Sequence, residues 1–198
     1  MRKKFKKIVI YGGAFSPPHI GHTVAIDAVV RLFPCDGIWL MPSADRRDKT
    51  ISAAGPHRVN MLKIILKEYF LKSSIKISDL EIRRPKLTTT YDTKMELEKL
   101  YPDCKFYFLI GSELLWDIEK KWIKGKELYR STNFLAIQKP NAKIPKNLPP
   151  NIKILDEDVV WLDVSSTFVR SILKTGHSGI PYIHTKVASY IKTNGLYK

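Results

Sequence analysis

Six apolar runs of strand length recur along this 198-residue chain, and segments with helical spacing fill most of the intervals between them. The runs are Ile8 to Tyr11, Gly37 to Met41, Ile75 to Ser78, Lys105 to Ile110, Phe134 to Ile137 and Val159 to Leu162. Between them, Thr23 to Leu32, Arg58 to Phe70 and Tyr91 to Leu100 carry apolar residues at helical spacing, the last behind a threonine-rich N-cap region. Strand, helix and strand in succession join parallel strands. The order therefore predicts an α/β fold with a doubly wound, mostly parallel sheet and helices on both faces. Residues 1–198 are expected to form a single domain, because this length suffices for one well-cored α/β unit and is short for two. Lys139 to Lys153, with Pro140, Pro145, Pro149 and Pro150, reads as a loop within that domain.

The segment after the first strand is suited to an anion. It runs Gly12-Gly13-Ala14-Phe15-Ser16-Pro17-Pro18-His19-Ile20-Gly21-His22. Two glycines at the strand's end let backbone amides come close to a ligand. His19 and His22 fall at the start of the next helix, where unpaired N–H groups and the positive dipole end favour negative charge. A nucleotide's phosphates fit such a place, and ligands of parallel sheets bind beyond the strands' carboxyl ends.

This glycine and histidine pattern resembles the signature of the nucleotidyltransferase superfamily of adenylyl- and cytidylyltransferases, whose sheet is Rossmann-like. Val164-Ser165-Ser166-Thr167-Phe168-Val169-Arg170 resembles the superfamily's second motif, in the expected order and near the expected distance. Further segments narrow the resemblance. They are Gly55 to Leu62, Asp79 to Pro85 with Thr90 to Thr93, Phe108 to Glu113 followed by Trp122, and the tail Tyr190 to Tyr197. Taken together, nearly the whole chain resembles bacterial nicotinate-mononucleotide adenylyltransferase.

That resemblance implies an enzyme of NAD biosynthesis that joins nicotinate mononucleotide and ATP into deamido-NAD and pyrophosphate. It implies an ATP site of Gly12, Gly13, Ala14, Phe15, His19, Gly21, His22, Ser165, Ser166, Thr167 and Arg170. Among these, His19, His22 and Arg170 are the expected catalytic groups. They would neutralise charge on the phosphates during an in-line displacement that needs no protein nucleophile. The acceptor site carried over comprises Lys49, Thr89, Thr90, Gly111, Glu113, Trp122 and Ile123. Lys49 would meet the mononucleotide phosphate, Glu113 a ribose hydroxyl, and the Trp122 indole the electron-poor pyridinium ring. Mg²⁺ is expected to enter with ATP, held by phosphate and water, with no protein metal site.

The chain departs from the family pattern at several places. Ser16 stands where the first motif carries Asp, Glu113 where an Asp is usual, and Arg46-Arg47-Asp48 where the family has Pro-Pro-His. Thr89 replaces a tyrosine, and Trp122 comes one residue late. Plainer roles compete at single positions: Ser165 to Thr167 as a helix cap, Arg170 as a solvated helix residue, Trp122 as core packing and Lys49 as a surface lysine.

A formal charge of +15 admits a rival class, a basic nucleotide- or RNA-binding protein on the same fold. The lysines are dispersed, however, and no nucleic-acid motif accompanies them, which argues against specific nucleic-acid binding. Nicotinamide mononucleotide or phosphopantetheine remain alternative acceptors, although the Arg83 to Thr93 segment disfavours the latter. No apolar run approaches the roughly 18 residues a membrane span needs, and no signal-peptide layout is present, so a cytoplasmic location and no membrane partner are expected. Cys35 and Cys104 match no zinc or redox spacing and are expected to stay reduced. A homo-oligomer is left open.

Overall fold

Side-chain alternation along the strands builds a sheet buried on both faces. Val9, Ile38, Leu40, Tyr107, Leu109, Leu135 and Ile137 point to one face, where they pack with Ala25, Ile26, Val29 and Leu62. Ile8, Ile10, Trp39, Met41, Phe106, Phe108, Phe134 and Ala136 point to the other, against Leu97, Leu115, Ile118 and Leu128. Successive residues take opposite faces because the strand period is two, and near-continuous apolar runs result when both faces are covered.

The computed structural model describes residues 5–44, 51–84, 88–139, 142–160 and 162–198. Among them, six strands lie parallel in the order β3-β2-β1-β4-β5-β6. The strands are β1 (Lys6–Gly13), β2 (Gly37–Pro42), β3 (Ile75–Ile77), β4 (Cys104–Gly111), β5 (Phe134–Ile137) and β6 (Ile152–Leu155). Seven α-helices connect or flank them: α1 (Ile20–Leu32), α2 (Gly55–Tyr69), α3 (Thr90–Leu100), α4 (Leu115–Lys121), α5 (Gly125–Ser131), α6 (Ser166–Lys174) and α7 (Thr185–Thr193). Strand order reverses direction between β1 and β4. Their carboxyl ends flank the crevice in which doubly wound sheets bind ligands.

The expected sheet class and helix sides hold, and five of the six strand positions overlap the observed ones. The sixth does not. Val159, Val160 and Leu162 lie outside any strand, and Trp161 lies outside the described residues. The last strand is instead Ile152–Leu155, which starts in the segment read as a loop, Lys139 to Lys153, and continues past its end. Four prolines ahead of it mask this short run. Its pairing is nevertheless secured, because Phe134 donates to the Asn151 carbonyl and the Asn151 side chain donates to the carbonyls of Tyr129 and Thr132. Lys153 keeps this edge strand solvated.

A third cluster joins the chain's end to α2 and α6. Met61 and Ile65 of α2, Val169 of α6, Val187 and Ile191 of α7 and Tyr197 pack together. It holds α6, and with it the second motif, against the loop after β1.

Candidate active site

A cleft of about 300 Å³ opens at the crevice between β1 and β4. Its lining includes Ala14, Phe15, His19, Gly21 and His22 from the first motif and Ser165, Ser166, Thr167 and Arg170 from the second. Two segments almost 150 residues apart in the chain thus share one wall. They also touch directly: the Ser166 hydroxyl donates to the Pro17 carbonyl at 2.9 Å, and Arg170 Nη1 donates to the Ser16 carbonyl at 2.8 Å.

His19 is the N-cap of α1 and His22 its third residue. The backbone amide of His19 donates to His22 Nδ1 at 3.1 Å, and the two rings stack with centroids 3.8 Å apart. Burial holds the His19 imidazole down at about 4, and burial followed by the neighbouring His19 holds His22 well below its usual value. Both rings are therefore neutral near pH 7. His19 Nδ1 is buried with no protein partner among the described residues, an arrangement that calls for a ligand atom. Gly21 makes room for this: a Cβ there would sit 3.1 Å from the His19 ring. Above Gly12, by contrast, a Cβ would meet nothing within 4 Å, which leaves open space at the strand's end.

In the second motif the hydroxyls divide their work. Ser165 caps α6 by accepting from the Phe168 amide at 3.1 Å, and Ser166 is committed to Pro17. The residues that cap α6 therefore also line the cleft. The amides of Ser166 and Thr167, in the first turn of α6, have no intrahelical acceptor and lie beside the cleft. Arg170 spends its second nitrogen on Thr167 Oγ1 at 3.1 Å, which orients the guanidinium along the cleft wall.

Gly111 and Glu113 follow β4 and line the same cleft. Glu113 forms an ion pair with Lys139 at 2.7 Å, and the Lys139 amide donates to the buried Ser112 hydroxyl at 2.9 Å. Sequence reasoning missed Lys139. The signal was present, because Lys139 stands just past the carboxyl end of β5 and faces the same crevice.

Thr89, Thr90, Trp122 and Ile123 do not line this cleft. Thr89 is the N-cap of α3 and forms a capping box with Asp92, in which its own amide donates to the Asp92 carboxylate at 3.1 Å. Thr90 opens the helix. Trp122 ends α4, half-buried, with its ring edge-on to Phe134 at 6.1 Å, and Ile123 beside it is exposed. Lys49 and the Arg46 to Asp48 departure lie outside the described residues. Beside Thr89, a polar network ties the Asp79 to Arg84 segment to α3. The Thr93 hydroxyl donates to Glu81 at 2.6 Å, and Arg84 donates to Thr93 and pairs with Glu96.

Among the described residues no group of three or more His, Cys, Asp or Glu is arranged to hold a metal ion. Among the described residues that line the cleft, the one carboxylate is Glu113, which pairs with Lys139. No described helix is long and apolar enough to cross a membrane. Cys35 and Cys104 are free thiols.

A family model described as cytidylyltransferase-like matches residues 10–172. Nicotinate-nucleotide adenylyltransferase of Bacillus subtilis (strain 168) is 33% identical over 198 residues, which span 98% of this chain and 99% of that protein. The chain belongs to the nicotinate-nucleotide adenylyltransferase family. This family member is also similar to a solved structure of Plasmodium falciparum nicotinic acid mononucleotide adenylyltransferase complexed with NaAD. The TM-score is 0.87 at 30% identity, over 97% of each chain. The same Plasmodium enzyme complexed with APC gives 0.81 at 29% identity, over 97% of each chain.

Proposed function

We propose that this enzyme transfers the adenylyl group of ATP to nicotinate mononucleotide, forming deamido-NAD and releasing pyrophosphate. The observation that carries the reading is the convergence of both phosphate motifs on one cleft at the β1/β4 crevice of a nicotinate-nucleotide adenylyltransferase family member. A phosphate oxygen of the mononucleotide attacks the α-phosphorus of ATP, a new P–O bond forms, and the bond to the β-phosphate oxygen breaks. Pyrophosphate takes away the electron pair, so the protein supplies neither nucleophile nor base.

His19 and His22 offer neutral N–H donors toward the α- and β-phosphates, and the α6 amides with Arg170 receive the outer phosphates. Mg²⁺, when it arrives with ATP, would offset charge on the phosphates, and no carboxylate cage is needed to hold it. Thr90, Trp122 and Ile123 are assigned to the pyridine end of the acceptor, Glu113 to a ribose hydroxyl and Lys49 to the acceptor phosphate. A cytoplasmic location belongs to the same proposal. Pyrophosphate release should be followed with ATP and, in turn, nicotinate mononucleotide, nicotinamide mononucleotide and phosphopantetheine. Release with the first far above the others is expected. Release with none, in the presence of Mg²⁺, would overturn the reading in favour of a nucleotide-binding protein.

A further inference from the structure

Phe15 sits in the left-handed region, with φ at 48°, and its side chain is fully buried. A bulky residue holds that conformation only when its surroundings enforce it. The enforcement is visible on both sides of it. On the amino side, Arg58 Nη1 donates to the Ala14 carbonyl at 3.0 Å while its Nε donates to Ala53 at 3.0 Å. On the carboxyl side, Arg170 takes the Ser16 carbonyl, and the Ser16 hydroxyl bonds the Tyr197 hydroxyl at 3.0 Å in a buried contact. The Phe15 ring then packs on the His22 ring at 4.9 Å and on Tyr11 at 5.4 Å.

We propose that Tyr197, at the far end of the chain, is a positioning residue for the ATP loop: through Ser16 it holds Phe15 in place, and through Phe15 it sets the ring of His22. Arg58 is its counterpart on the other side of Phe15. Ser16 carries no charge, so the loop is anchored by a neutral hydroxyl pair between two guanidiniums. Tyr197 can reach it because Gly195, with φ at 60°, turns the tail back, and because the ring is buried with Met61, Val169 and Ile191. The inference rests on the adenylyl-transfer reading for its kinetic consequence, but its effect on nucleotide binding does not need an acceptor.

The test uses Tyr197→Phe, Ser16→Ala and the double variant S16A/Y197F, each of which removes hydroxyls and leaves the packed ring or backbone. ATP binding is measured by calorimetric titration without acceptor, and kcat and KM for each substrate are measured separately, with Tm as the control for folding. Each single variant should weaken ATP binding and lower kcat/KM for ATP by about two- to tenfold, the factor to which a neutral hydrogen bond converts. The mononucleotide KM should stay unchanged, and the double variant should be no worse than the worse single one. A Tyr197→Phe protein with a lower Tm but wild-type ATP binding and kinetics would reduce Tyr197 to a structural residue. Effects that multiply in the double variant, or that weaken both substrates alike, would also overturn the proposal. If the wild type binds ATP but turns over no acceptor, the functional reading fails, while the titrations still decide on Tyr197.

Discussion

The backbone amide of His19 donates to Nδ1 of His22, so the helix start itself chooses the tautomer of the second histidine. Nδ1 must be unprotonated to accept, which places the proton of the neutral ring on Nε2. Burial keeps both imidazoles uncharged near pH 7. A donor fixed in direction before the reaction needs no reorganisation as charge develops on the leaving phosphate.

Replacing His22 by Ala should leave the fold intact and lower kcat by at least about a hundredfold, the scale for loss of one transition-state donor. Steady-state pyrophosphate release, alongside a circular dichroism spectrum that matches wild type, checks this. Near-normal turnover in the folded variant would remove His22 from the mechanism.

Stability should fall on acidification from about pH 6.5 to about pH 4. His19 titrates near its ordinary 6.5 when unfolded and at about 4 when folded, so in that window the unfolded chain binds more protons. The contribution is fully present above 6.5 and lost as pH drops through the folded value. Calorimetric Tm measured across this range should decline less steeply for His19→Gln than for wild type. Parallel curves would count against a buried neutral His19.

Arg170→Lys keeps the charge but cannot bond Ser16, Thr167 and a phosphate with one planar group. The ATP KM should rise by about tenfold or more, the scale of a charged hydrogen bond, while the mononucleotide KM stays within about twofold. Separate titrations of the two substrates give the readout, and equal weakening of both would contradict the assignment.

Acceptor choice should favour nicotinate over nicotinamide mononucleotide by at least about tenfold in kcat/KM. The Asp92 carboxylate already occupies the Thr89 amide, which leaves the amides of Thr90 and Ile123 as the candidates for the pyridine substituent. A carboxylate there gains charge-assisted bonds worth roughly 1.5–3 kcal/mol that an amide lacks. The two acceptors should be compared below saturation at equal ATP and Mg²⁺. A ratio near one, or reversed, would assign the pocket to an amide-using enzyme.

Local chemistry in the sequence was enough to single out the two segments that share the wall of the cleft. Glycines at a strand end, histidines at a helix start and a Ser-Ser-Thr cap with Arg170 one turn on are contiguous signals, each interpretable within one or two turns of chain. The strand and helix alternation was legible for the same reason, since periodicity is a short-range property. Long-range pairing decided the rest. Ile152–Leu155 is a strand because β5 offers it hydrogen bonds and Asn151 anchors its start, not because its proline-flanked sequence demands it. Trp122 rests against Phe134, a neighbour twelve positions on whose approach depends on where α4 meets the sheet. Lys139 meets Glu113, and Tyr197 meets Ser16 across 181 positions, only because the fold brings β5 beside β4 and the tail beneath the β1 loop. Such contacts are selected by packing among distant segments, whose energies no local window of sequence contains.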